Sequence, residues 1–207
     1  MGNITPTQVP IHELLARRYS PYGFDARPVP PYIFQRLLEA ARWSPSCFNA
    51  QPWNFLIATR DNPGEYDRML GCLVDANQAW AKSAPVLMIT VAALNFSHNG
   101  KPNRHAYHDV GAAMANLTLQ ATSEGIYVHQ MGGIDFDKTR AVYGIPATHD
   151  AVAGVAMGYP ADPNTLPDPL KQRALAPRSR KAVDEFAFAG KWGDAMAPLS
   201  GSQGESK

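Results

Sequence analysis

The chain has 207 residues, 45% of them apolar, which is enough for one domain with a core of its own. With 19 basic against 18 acidic residues and a formal net charge of +1, it lacks the electrostatic bias that drives binding to nucleic acid or to a membrane surface. Two cysteines, Cys47 and Cys72, in no C-x-x-C spacing, fit a reducing compartment, and the polar start from Gly2 to Pro10 lacks the apolar run of a secretory leader, so a cytoplasmic protein without a membrane or nucleic-acid partner is expected.

Ile11, Leu14, Leu15 and Arg18 recur at helical spacing, and Pro21 with Gly23 closes that helix. A second helix opens at Pro30-Pro31 and presents Phe34, Leu37, Leu38 and Ala41 on one face until Trp43. There follows SPSCFNAQP, residues 44–52, in which Ser46, Cys47, Asn49 and Gln51 offer hydrogen bonds without charge between two tryptophans, Trp43 and Trp53. Trp53 to Thr59 reads as a strand, Glu65 to Trp80 as one helix, and Val86 to Ala93 as a buried strand. The apolar stretch around that strand, Ala84 to Leu94, is too short to span a bilayer.

A long helix is predicted from about Asn103 to Glu124, ending on Gly125. Ala112, Ala113, Met114, Ala115, Leu117, Leu119 and Ala121 leave it almost no polar face, so it is expected to be covered on several sides, by the rest of the fold or by another subunit. The chain continues with a strand from Tyr127 to Met131, a helix from Asp135 to Tyr143 and a strand from Val152 to Met157. Tyr159 to Pro177 reads as a proline-rich surface arm, Ala182 to Phe188 as a further ordered segment, and Ser200 to Lys207 as a disordered tail. Strands separated by helices point to a layered α/β or α+β fold, one domain over residues 1–195 and a tail from 196.

The chain has no G-x-G-x-x-G, no G-x-x-x-x-G-K-[ST] and no G-x-S-x-G. His105, His108 and Asp109 could share a helix face as metal ligands, but Asp109 in a first helical turn has a capping and dipole role available, and no metal is expected. Cys47 lacks a neighbouring base that would make it a nucleophile. Basic residues gather at Arg17-Arg18 and at Arg178-x-Arg180-Lys181, with Arg140 alone. Together with the uncharged loop and the glycine pair of HQMGGID, they suggest a ligand with a phosphate at one end and a flat, hydrogen-bonding head at the other.

From about Leu14 to Phe188 the chain resembles the FMN-dependent nitroreductase superfamily. The resemblance rests on Arg18-Tyr19-Ser20-Pro21-Tyr22-Gly23-Phe24, on Ser44 to Trp53, on Asp109-x-Gly111 followed by Asn116-Leu117, on Met131-Gly132-Gly133 and on Arg178-Ser179-Arg180, in that order. It implies an α+β, three-layer α/β/α fold, with a mostly antiparallel central sheet flanked by helices, in an interlocked homodimer. It also implies FMN at the dimer interface, NADH or NADPH as electron donor, and a small electron acceptor such as a nitroaromatic or quinone, served by ping-pong exchange. Arg18, Ser20, Arg178 and Arg180 would hold the phosphate and ribityl end; Pro45, Ser46, Cys47 and Asn49 would border the ring from the other subunit; Met131, Gly132 and Gly133 would offer backbone groups, and Tyr19 and Gln51 are further cofactor-binding candidates.

No catalytic side chain is implied, because the flavin carries the chemistry. Phe48, Phe96, His105 and Tyr107 are candidates for lining the acceptor site. Tyr22 stands where many relatives carry a cation near the flavin, a loss that would lower the flavin potential unless Arg17 substitutes. A non-catalytic FMN store or sensor is the alternative reading, and a metal enzyme built on His105, His108 and Asp109 is a third.

Overall fold

The structure is a computed structural model that describes residue 5 and residues 7–196. It divides into two units, one running to Leu175 and the other beginning at Ala176.

The first unit is organised by the strand Val86–Ala93, whose seven residues from Val86 to Ala92 are all buried. It is β2 of a four-stranded sheet with β1 (Trp53–Thr59), β3 (Tyr127–Met131) and β4 (His149–Gly158), in the order β1-β2-β4-β3, every pair antiparallel. Because side chains alternate across a strand, β2 sends Val86 and Met88 to one face and Leu87, Ile89 and Val91 to the other, and both faces must be covered. Helices α2 (Pro31–Arg42) and α5 (Ala106–Ser123) cover the first face with Ile33, Leu37, Ala113, Met114 and Leu117. Helices α3 (Pro63–Leu70), α4 (Asp75–Ala81) and α6 (Phe136–Tyr143) cover the second, where Tyr66, Met69 and Trp80 are buried. The expected α/β/α layering is therefore present, and two short helices, α1 (Glu13–Arg17) and α7 (Asp168–Leu175), complete the unit.

Thr90 is the one polar residue of β2, and its place has a reason. The register of β2 against β4 shifts between Thr90 and Val91, and at that irregularity the Thr90 hydroxyl accepts from the Ala153 N–H at 3.1 Å and lies 3.3 Å from the Ala153 carbonyl. The side chain thus supplies hydrogen bonds that the interrupted ladder does not.

Several elements differ from the sequence reading. The single helix expected from Glu65 to Trp80 is two, α3 and α4, separated by residues 71–74. There Leu73 bridges Ile134 and the Val74 N–H donates to the Gly133 carbonyl at 3.1 Å, so pairing with a distant segment outweighs local helix propensity. The arm from Tyr159 to Pro177 is not a simple loop: it holds a 3-10 turn at Pro163–Thr165, capped by Asp162, and then α7. Strand β4 begins at His149 rather than Val152, and α1 is only 5 residues long. The second unit contains a 3-10 turn at Val183–Glu185 and a bridge between Phe188 and Ala195, and no named strand among its described residues. The disordered tail expected from 196 falls outside the described residues except for Met196.

Thr90→Val keeps the shape and removes the hydroxyl, leaving the Ala153 N–H without that partner. A loss of about 1–2 kcal/mol is expected in denaturant unfolding, with Thr90→Ser keeping most of the stability.

Candidate functional site

Where α1 and the segment after it meet α5 and β3, the structure leaves a cavity of about 310 Å³. Leu15, Leu119 and Val128 form an apolar wall, and Arg18, Ser20 and Gln130 bring polar groups to it. Arg18 Nη1 lies 3.5 Å from Ser20 Oγ. Thr118 lines the same cavity; it is only 5% exposed, and its hydroxyl has no hydrogen-bond partner within the described residues. An unsatisfied buried hydroxyl costs about 1–3 kcal/mol, so a polar ligand atom or a water reaching it would recover stability.

The side chains along residues 18–22 diverge, and only some of them reach this cavity. Arg18 and Ser20 line it, whereas Tyr19 packs on Tyr127 with ring centroids 4.6 Å apart. Tyr22 turns toward the core of the opposite sheet face and meets Trp80 at 5.5 Å and His129 at 4.9 Å, both edge-on. A tyrosine here is thus explained by packing, and Tyr22 is not among the residues around the cavity. His129 is itself stacked on Trp80 at 4.3 Å, and its Nδ1 is 2.8 Å from the Pro21 carbonyl. A carbonyl only accepts, so Nδ1 carries a proton. Burial pushes the His129 pKa below its ordinary value, the Pro21 carbonyl opposes this, and the charge of Arg18 pushes it down further.

The uncharged loop adopts an unusual backbone. Cys47–Asn49 is a 3-10 turn in which Phe48 and Asn49 have φ of 52° and 53°, and Gln51 follows with 47°. Left-handed conformations in residues other than glycine cost roughly 1–2 kcal/mol each. The compensating bonds are visible: the Gln51 N–H donates to Ser46 Oγ at 3.0 Å, Gln51 Nε2 donates to the Asn49 carbonyl at 3.1 Å, and the Cys47 N–H donates to Asp109 Oδ2 at 3.0 Å. Pro52 is buried but Pro45 is exposed, so the loop is not held by its prolines alone. Phe48 stands 82% exposed, with Phe96 edge-on at 5.8 Å and His98 at 6.1 Å.

Asp109 sits in the first turn of α5, as the dipole argument requires, but its carboxylate is aimed at the loop. Among the described residues no three His, Cys, Asp or Glu side chains come together to hold a metal ion, so His105, His108 and Asp109 do not form a ligand set. Tyr107 donates to Asp150 at 2.7 Å. Arg140 is a structural staple, donating to the carbonyls of Ile145, Pro146 and His149 and to Asp150 at 2.6 Å.

The glycine pair divides in two. Gly133 is fixed by packing: its carbonyl accepts from Val74 and from Asn77 Nδ2, and a Cβ there would lie 2.5 Å from that nitrogen. Gly132 has open space around it, and Met131 is buried in the core. In the second unit Arg178 is half-buried, and exposed Arg180 donates to the Ser179 carbonyl at 2.6 Å. The structure therefore gathers Arg18 and Ser20 with two residues the sequence reading omitted, Thr118 and Gln130, while Pro45, Ser46, Cys47, Asn49 and Gln51 form a separate structure that does not line the cavity. A signal for both omissions exists: each is a polar residue on an otherwise apolar face, Thr118 beside Met114 and Gln130 two residues from Val128.

Residues 15–159 match the Nitroreductase family. The chain belongs to that family. It is similar to a solved oxidoreductase containing FMN, 35% identical with a TM-score of 0.87, across 94% of this chain and 100% of that one. An NADH dehydrogenase of Thermus thermophilus is 27% identical over 177 residues, 70% of this chain and 84% of that protein. Iodotyrosine deiodinase 1 of Rattus norvegicus is 24% identical over 190 residues, and the match covers 79% of this chain and 66% of the deiodinase. The family match takes in Arg18, Ser20, Thr118 and Gln130, the polar residues of the cavity, together with the strained loop. No described helix of this family member is long and apolar enough to cross a membrane.

His129 makes stability pH-dependent. Its pKa in the fold lies below the ordinary 6.5, so its contribution is complete above about pH 6.5 and is lost as the pH falls through the folded value. The melting temperature should fall more steeply on acidification in the parent than in His129→Gln, whose amide donates to the Pro21 carbonyl without titrating; parallel curves would contradict the assignment. Arg140→Ala should cost about 1–3 kcal/mol in denaturant unfolding, through carbonyls left unpaired, without altering ligand affinity.

Proposed function

We propose that the chain binds FMN and acts as an NAD(P)H-dependent oxidoreductase that passes reducing equivalents to a small electron acceptor. The observation that carries this reading is the cavity that Arg18, Ser20, Thr118 and Gln130 line together with an apolar wall. Its chemistry fits the proposed cofactor: a guanidinium for a phosphate or a reduced ring, hydroxyl and amide groups for the polar edges, and Leu15, Leu119 and Val128 for a flat ring system. The FMN-containing and NADH-named relatives support the same reading.

A cavity of about 310 Å³ is at the lower end of the size of ligand sites, roughly 300–1,000 Å³, so a bound flavin would extend beyond it. In this reading a second copy of the chain covers the remainder with its uncharged loop, Pro45 to Gln51, and the protein is a homodimer. The partly and fully exposed small residues of α5, Gly111, Ala112 and Ala115, support that arrangement, since they allow close approach of another surface. When bound, FMN supplies two-electron chemistry, accepting hydride from the nicotinamide and giving it up to an acceptor such as a nitroaromatic or a quinone. The residues of this chain hold, orient and screen: Arg18 offsets negative charge, Ser20 and Thr118 satisfy polar edges, and the loop amides add neutral contacts without the desolvation cost of a charge. No side chain is required to transfer a proton.

FMN titration followed by quenching of flavin fluorescence tests the site. Arg18→Ala should weaken FMN binding by roughly ten- to a hundredfold, as expected for the loss of a charge-assisted contact. Undiminished affinity would place the ligand elsewhere. Arg178 and Arg180 keep the phosphate role of the sequence reading as a proposal, and Arg180→Ala in the same titration, with riboflavin as the phosphate-free control, tests it by itself.

A further inference from the structure

We propose that Asp109 is the latch of the strained loop: its carboxylate, by accepting the Cys47 N–H, holds residues 46–51 in the course that puts Phe48, Asn49 and Gln51 at positive φ, and so positions the groups the loop presents. The statement that those groups serve a flavin rests on the proposed function; the latch itself does not.

Three observations meet at this point. First, the bond joins residues 62 positions apart, so it connects two elements that nothing local holds together. Second, the two partners differ in rigidity. Asp109 is 3% exposed and belongs to an 18-residue helix packed on the sheet, with its own N–H donating to the His105 carbonyl at 2.9 Å. The loop has three residues other than glycine at positive φ, and its other two side-chain bonds, from Gln51 to Ser46 and to Asn49, are internal. Internal bonds shape a loop without tying it to the body of the protein; the Asp109 bond ties it. Third, the carboxylate is buried, where a group of this kind is retained only with hydrogen-bond donors. The Cys47 N–H is one such donor, and the N-terminal end of α5 favours the negative charge.

The two elements therefore stabilise each other. Removing the carboxylate should let the loop leave its strained conformation, and it should do so at Cys47 first. That residue carries a built-in reporter, because its thiol is free and partly exposed, whereas Cys72 is free and 0% exposed. Asp109 is accordingly a positioning residue that acts through the backbone of Cys47, and Asn in its place retains an oxygen able to accept the same N–H.

The test is the rate of alkylation of the flavin-free protein by iodoacetamide, with the modified cysteine located by peptide mass. Asp109→Ala should alkylate Cys47 about tenfold faster than the parent through easier local opening, and Asp109→Asn should stay within about twofold of the parent. An Asp109→Ala rate equal to the parent's, or an Asp109→Asn rate equal to that of Asp109→Ala, would overturn the latch. Should Asp109→Ala fail to fold, amide hydrogen exchange of the parent decides: protection of the Cys47 N–H by about tenfold or more supports the latch, and exchange at the unprotected rate overturns it. FMN titration separates the two layers of the argument. Weaker FMN binding by Asp109→Ala with restoration in Asp109→Asn supports the positioning role, and unchanged binding by a loosened loop overturns that role. A parent protein that binds no FMN rejects the functional reading and leaves the alkylation result standing.

Discussion

A strand buried on both faces imposes the plan of this protein. Residues 86–92 of β2 have no solvent on either side, and its backbone is paired with β1 and β4, so a helix layer is required above and another below. Once α5 is laid along one face, its two ends are committed to different neighbours. Near its start, Ala106 and Val110 pack on Ala92 beside Trp53, the first residue of β1. Farther along, Ala115, Thr118 and Leu119 face Val128 and Gln130 of β3 across the cavity.

The positions of the loop and the cavity follow from that placement. The uncharged loop leads directly into β1, so it must pass the first turn of α5, where Asp109 meets it. The cavity lies near the other end of the helix. Asp109 and Thr118 are nine residues apart, roughly 14 Å along a helix, which is why one copy of the chain does not bring the loop and the cavity into a single pocket. The homodimer proposed above would set the loop of one copy over the cavity of the other, and a closed pair of that kind would have two equivalent sites.

Much of this was legible in the sequence. The strands read at Trp53–Thr59, Val86–Ala93 and Tyr127–Met131 are β1, β2 and β3 of the structure, and the prolines, glycine and small polar residues marked the loop and the end of α5. What was not legible depended on partners far along the chain. The break between α3 and α4 is set by Leu73 and Val74 pairing with Ile134 and Gly133. Asp109 has a sound local role at a helix start, and nothing in its neighbourhood names Cys47 as its partner. Tyr22 reads as a missing cation until Trp80 and His129 are placed around it. Gly133 has a packing reason to be glycine that the sequence does not show, since Asn77 fills the space beside it. Local pattern reports propensity and burial; the pairing of distant polar groups requires the fold.

The account stands most directly on whether the bound cofactor is reduced by nicotinamide. The decisive measurement is an anaerobic titration of the purified protein with NADH and with NADPH, followed by the absorbance of the bound flavin. The account predicts a yellow protein that bleaches with about one equivalent of one of the two donors per flavin and regains its colour when a quinone is added. A colourless protein that takes up no FMN, or a bound flavin that stays oxidised in the presence of both donors, would contradict it.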